Sequence, residues 1–185
     1  MQVVCVLIRN PEVIFDFVEE CFRFGARIAW NQEAVFLEFP SPRSMYSLEE
    51  LFNSIEILAE HFDIQTRIAT AEDAPTALCY AHYGVMPKEN LPLESLRHYY
   101  SPLVFPDELA SFIRALRSSG YRNLKDIAHL LPSLLRTQFG DKAWEAVRRA
   151  REKSGRVWPG FSFLENFSEE NTEQQEFTFP LVAAS

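Results

Sequence analysis

Apolar residues run unbroken from Val3 to Ile8, a valine-rich stretch that reads as a central strand buried on both faces. Asn10-Pro11-Glu12 then predicts a helix start, with Asn10 as cap and Pro11 at the first helical position. Ile14, Phe15, Val18, Cys21 and Phe22 recur at helical spacing, and Gly25 is expected to end that helix. Ala26–Trp30 and Ala34–Phe39 read as two strands joined by a tight turn at Asn31 and Gln32, with Pro40 and Pro42 stopping the second. Ser47-x-x-Glu50 is a capping box before a helix that buries Leu48, Leu51, Phe52, Ile55 and Leu58. Ile64–Ala69 alternates as a half-exposed strand, and a helix from about Asp73 to Tyr83 closes at Gly84. This order predicts an α+β chain whose first part, residues 1–84, is an α/β sandwich of the ferredoxin-like kind, with helices on one face of a mostly antiparallel sheet.

The pattern changes after Gly84. Pro87, Pro92, Pro102 and Pro106 punctuate the next stretch, so residues 85–105 read as a linker. Residues 106–157 then read as a small helical unit. Leu109, Phe112, Ile113 and Leu116 form the apolar face of its first helix. A sharp turn follows at Ser118-Ser119-Gly120-Tyr121-Arg122-Asn123. Asn123-x-x-Asp126 caps the next element, which is expected to bury Leu124, Ile127, Leu130 and Leu131. A short helix around Leu134 and Leu135 ends at Gly140, and a last helix turns Ala143, Trp144 and Val147 inward and Arg148, Arg149 and Arg151 outward. Residues 158–185 form an acidic, Gln- and Asn-containing tail expected to be partly disordered, in which Phe177–Val182 has the pattern of a strand for a partner.

Charge sharpens this division. The chain holds 18 Lys/Arg and 26 Asp/Glu; the segment Ser111–Gly160 alone has 11 and 4 of them, a local excess of +7 on an otherwise acidic chain. An acidic bulk opposes tight nonspecific binding of a polyanion, so any DNA contact is expected to be weak and salt-sensitive. No apolar run approaches the ~20 residues that span a bilayer, and no membrane partner is expected. Three cysteines, Cys5, Cys21 and Cys79, lie in apolar surroundings and read as reduced thiols of a cytoplasmic protein. Neither CxxC nor paired histidine spacing occurs, no P-loop or nucleophile elbow occurs, and no cofactor is expected. His61, His82, His98 and His129 read as isolated residues.

The sharpest chemical signal is the basic hairpin. A glycine allows close approach of a phosphate, and the following helix start turns backbone N–H groups outward. Gly120, Tyr121, Arg122, Asn123 and Lys125 are the candidate DNA-backbone contacts, with Arg114, Arg117 and Arg148 as further phosphate contacts. An ordinary helical corner on a solvated charged face explains the same residues without DNA.

With these residues in view, the chain resembles the palm and thumb of Y-family translesion DNA polymerases, and most nearly the noncatalytic ImuB-type branch. The residues that carry the resemblance are Trp30–Phe39, Arg67–Ala71, Leu116–Ala128 and Phe139-Gly140, within a span of roughly Glu12 to Val157. The helix-hairpin-helix of the thumb-like part is the most specific portion. The resemblance implies a palm-type sandwich followed by a thumb-type helical unit. It also implies a place in DNA damage tolerance, through DNA-backbone contact and protein partners.

The departures from that family bear on catalysis. An active member holds two metal ions with an acid in the first strand and an adjacent Asp-Glu pair in a palm hairpin. Here Val3-Val4-Cys5-Val6-Leu7 carries no acid, and the expected pair is Gln32-Glu33. One carboxylate cannot hold two Mg²⁺ ions, so Glu33 is expected to be a surface or salt-bridged residue rather than a ligand. A fingers subdomain would lie where Asn10-Pro11 connects strand to helix directly, and a little-finger domain would begin near Phe177–Val182. The expectation is therefore a noncatalytic accessory protein that binds DNA backbone and bridges to replication and repair partners. The competing expectation is a protein-interaction adaptor that has lost DNA binding.

Overall fold

The structure is a computed structural model that describes residues 2–9, 12, 14–24, 28–39, 47–100 and 106–152, together with the backbone of 162–164. It is an α+β fold around an antiparallel sheet. The strands are β1 (Gln2–Ile8), β2 (Ile28–Trp30), β3 (Ala34–Phe39), β4 (Thr66–Ala71) and β5 (Ser162–Leu164), in the order β4-β1-β3-β2-β5. Every neighbouring pair is antiparallel: Val4 faces Leu37 on one side and Thr70 on the other, and Ala29 faces Phe36 and Phe163. Within the tail expected from residue 158 onward, Ser162–Leu164 thus extends the sheet; Phe177–Val182 lies outside the described residues.

Alternation along β1 divides the core. Val4, Val6 and Ile8 point to one face, where they meet α1 (Ile14–Cys21) and α2 (Leu48–His61) through Phe17, Val18, Leu51 and Ile55. Cys5 and Leu7 point to the other face, which α3 (Ala74–Tyr83) covers with Ala77, Leu78 and Ala81. The expectation of helices on one face is corrected here. The small residues of α3 let it lie close against the sheet, so β1 is buried from both sides.

The terminal signals read from the sequence are realised in several places. Ser47 and Glu50 form a reciprocal capping box at α2. Asp73 caps α3 by accepting from the Thr76 N–H, and Gly84 ends that helix in the left-handed region (φ 64°).

Residues 85–100, the described part of the expected linker, are packed into the helical part of the chain. Two 3₁₀ turns, Lys88–Asn90 and Leu93–Ser95, lead into α4 (Leu96–Tyr100), and Leu91, Leu93, Leu96 and Tyr99 are fully buried. Each such side chain contributes about 1.5–3 kcal/mol of burial. They form one core with α5 (Asp107–Ser118), a 3₁₀ turn at Leu124–Ile127, and the inner face of α6 (Pro132–Arg151). Pro87, Pro92 and Pro106 each precede a turn or helix, where a missing N–H costs little, and Leu91, Leu93 and Leu96 point inward. Residues 101–105 lie outside the described residues. The Thr76 hydroxyl hydrogen-bonds the Tyr99 hydroxyl at 2.9 Å, which ties α3 to α4.

α6 contains the break expected near Gly140, whose φ of 84° and ψ of 176° suit only glycine. Leu131 was expected inside; instead it caps the start of α6 and is 66% exposed. Cys5, Cys21 and Cys79 are buried free thiols. Among the described residues no helix is long and apolar enough to cross a membrane.

Candidate functional site

Two places collect polar chemistry. The first is the hairpin between α5 and α6. Gly120 turns the chain at φ 94°, and Tyr121 packs inward against the helical core. Arg114, Arg117, Arg122 and Lys125 are all exposed on this corner. Arg117 is paired with Glu94 at 2.9 Å. The Arg122 guanidinium donates to the Arg117 carbonyl at 3.2 Å, and the Lys125 ammonium reaches Asn90 Oδ1 at 3.5 Å. Arg114 has no ion-pair partner among the described residues.

The backbone of this corner differs from the expectation of outward N–H groups. Ser119, Gly120 and Tyr121 donate back to carbonyls of α5. Arg122 and Asn123 both donate to Asp126 Oδ2, at 2.8 and 2.9 Å. Those two backbone bonds hold the Asp126 carboxyl below its ordinary value. An internal carboxylate therefore already occupies the anion-binding geometry, and the groups left for an external phosphate are side chains. Asn123 contributes through the turn: its backbone bridges to Pro92, which pins the hairpin to the segment before α4.

Arg148, also proposed from the sequence as a phosphate contact, is elsewhere and fully engaged. Its guanidinium pairs with Glu145 and Glu152, each at 2.8 Å. Arg149 pairs with Glu145 and donates to the Tyr100 carbonyl. Arg151 folds back onto the carbonyls of Ile127 and Leu130, at 2.6 and 2.9 Å. The outward arginines expected on the last helix are thus partly structural.

The second place lies at the end of the sheet. Asn31 Oδ1 accepts from the Glu33 and Ala34 N–H groups at 2.9 and 2.8 Å, closing the β2–β3 turn, while the Ile8 N–H donates to the Glu33 carbonyl. That turn aims the Glu33 side chain at two histidines. His82 Nε2, from the last turn of α3, lies 3.1 Å from Glu33 Oε2. His98 Nδ1, from α4, lies 4.0 Å from Oε1. The two imidazoles stack, with centroids 4.7 Å apart and planes 25° from parallel. Arg67 holds the end of α3 by donating to the His82 carbonyl.

Electrostatics keep this cluster poised. Burial pushes the Glu33 carboxyl up, but the His82 hydrogen bond and the charges of His82, His98 and Arg97 outweigh it and leave the group below its ordinary value. Burial, with the charges of His82 and Arg97 and against that of Glu33, pushes His98 down to about 3. The expectation of isolated histidines is corrected for His82 and His98. Glu33 is hydrogen-bonded to His82 and half-buried rather than on the open surface. The three residues are 49 and 16 positions apart, so no local spacing announces them. The one available signal was His98 itself, a polar residue between the inward Leu96 and Tyr99.

The chain matches no known protein-family model, and comparison with curated proteins returns no significant match.

Proposed function

We propose that this chain is a noncatalytic accessory protein of DNA damage tolerance, a Y-family polymerase-like (ImuB-like) palm and thumb that holds DNA backbone through the α5–α6 corner and bridges to protein partners. The observation that carries the reading is the exposed cationic corner of Arg114, Arg122 and Lys125 around the Gly120 turn. The sheet order β4-β1-β3-β2, with α1 and α2 on one face, supports the ferredoxin-like palm; α5, its glycine turn and the capped 3₁₀ turn support the hairpin thumb. The acid-free first strand and the engagement of Glu33 with His82 support the absence of a two-metal polymerase centre. Contact runs through side chains, because Asp126 takes the backbone donors, and this suits weak, salt-dependent, sequence-independent binding.

The test is fluorescence anisotropy with primed and single-stranded DNA across a salt series, for the natural chain and for Arg122→Glu/Lys125→Glu. The expected result is salt-sensitive binding whose log–log slope drops by about two in the variant, near 0.9 per lost phosphate contact. Absence of binding at low salt would instead favour the adaptor reading, in which the acidic surface works on a protein partner.

A further inference from the structure

Among the described residues, the only group of three metal-ligating side chains is Glu33, His82 and His98, whose donor atoms lie within 4.8 Å of one another. We propose that Glu33, His82 and His98 form a binding site for one divalent transition-metal ion of the zinc class. The inference goes beyond the DNA-binding reading and does not depend on it.

Three features argue for it. The donors come from three separate elements, the β2–β3 turn, α3 and α4, yet the fold brings their ligating atoms within 4.8 Å of one another. Two imidazoles and one carboxylate are a donor set suited to zinc, with a further position left for water. His98 is almost fully buried, and its Nδ1 faces Glu33 Oε1 at 4.0 Å, too far for a hydrogen bond. Metal bonds of 2.0–2.2 Å in tetrahedral geometry set ligand atoms about 3.3 Å apart, so small side-chain rotations close the site around an ion. The Glu33 backbone is already fixed by Asn31 and Ile8, and the end of α3 by Arg67, so the rotations concern side chains only. The charge of Arg97, which acts on Glu33 and His98, opposes the ion here. A single ion in this place joins the sheet turn to the helical part of the chain. It is distinct from a two-ion phosphoryl-transfer centre, since one carboxylate serves it.

The experiment is titration of the chelator-treated protein with Zn²⁺ by calorimetry, and with Co²⁺ by visible absorption. Variants Glu33→Gln and His82→Gln are measured in parallel, with the exposed His61→Gln as control. His98 is left unchanged because its burial makes loss of fold the first consequence. The expected result is one Zn²⁺ per chain and a cobalt d–d spectrum of nitrogen and oxygen ligation. Affinity should fall by at least about a hundredfold in each ligand variant and stay unchanged in the control. Zn²⁺ should also raise the Tm of the natural chain but not of Glu33→Gln. Failure to take up one ion per chain, or uptake equal in all variants, overturns the proposal. A strong thiolate-to-cobalt band would assign the ion to a cysteine and overturn it as well.

Discussion

The hairpin corner and the end of α6 carry similar positive charge and spend it differently. At the corner, Arg114, Arg122 and Lys125 are exposed and make no close carboxylate pair. At the end of α6, Arg148, Arg149 and Arg151 are engaged by Glu145, Glu152 and the carbonyls of Tyr100, Ile127 and Leu130. A charge count cannot tell these apart, because a cation already paired gains little from a phosphate. Available charge, rather than total charge, decides where a polyanion docks.

The largest effect that tests this contrast is on stability. Arg149→Ala/Arg151→Ala leaves the carbonyls of Tyr100, Ile127 and Leu130 without their charged donors, and is expected to cost about 1–3 kcal/mol per lost partner. Chemical denaturation measures it. The salt slope of DNA binding should stay as in the natural chain; a fall as large as in the hairpin variant would break the comparison.

A smaller effect comes from Asp126→Asn. Removing its negative charge removes repulsion toward a bound phosphate, so DNA affinity should rise about fivefold in anisotropy. The weakened cap should also lower stability. Unchanged affinity would mean that phosphate does not approach the Arg122–Asn123 backbone.

The smallest effect is acid sensitivity at Glu145. Its carboxyl is held down to about 2, chiefly by the Arg148 hydrogen bond against partial burial, with help from Arg149. A carboxyl whose folded value is depressed stabilises the fold above its unfolded value and loses that contribution as pH falls. Thermal melts from pH 5 to pH 2 should therefore show a decline that flattens in Arg148→Gln/Arg149→Gln. The shift is modest because such partly exposed pairs are worth little.

Much of the framework was legible because local rules and tertiary packing agree there. Ala34–Phe39, the Ser47–Glu50 box, the Gly84 cap and the Gly140 break all follow from residues within one turn of each other. The stretch before α4 was misread because proline density suggests a linker, whereas Leu91, Leu93, Leu96 and Tyr99 alternate inward between tight turns. The second helical face of the sheet was missed because α3 is small-residue-rich and weakly amphipathic, a sign of close approach that periodicity does not register. In the hairpin, Asp126 as acceptor for two N–H groups was read only as a cap. The meeting of Glu33, His82 and His98 depends on how three elements pack, and nothing local encodes it.

The place of β1 in the middle of the sheet has a consequence for biosynthesis. Val4 to Leu7 are translated before both of their partners, Ala34–Leu37 on one side and Arg67–Thr70 on the other. The ribosome must therefore release an apolar strand and then some sixty further residues before its second edge is paired. During that interval an exposed valine-rich strand is a target for chaperones and for misassociation between nascent chains.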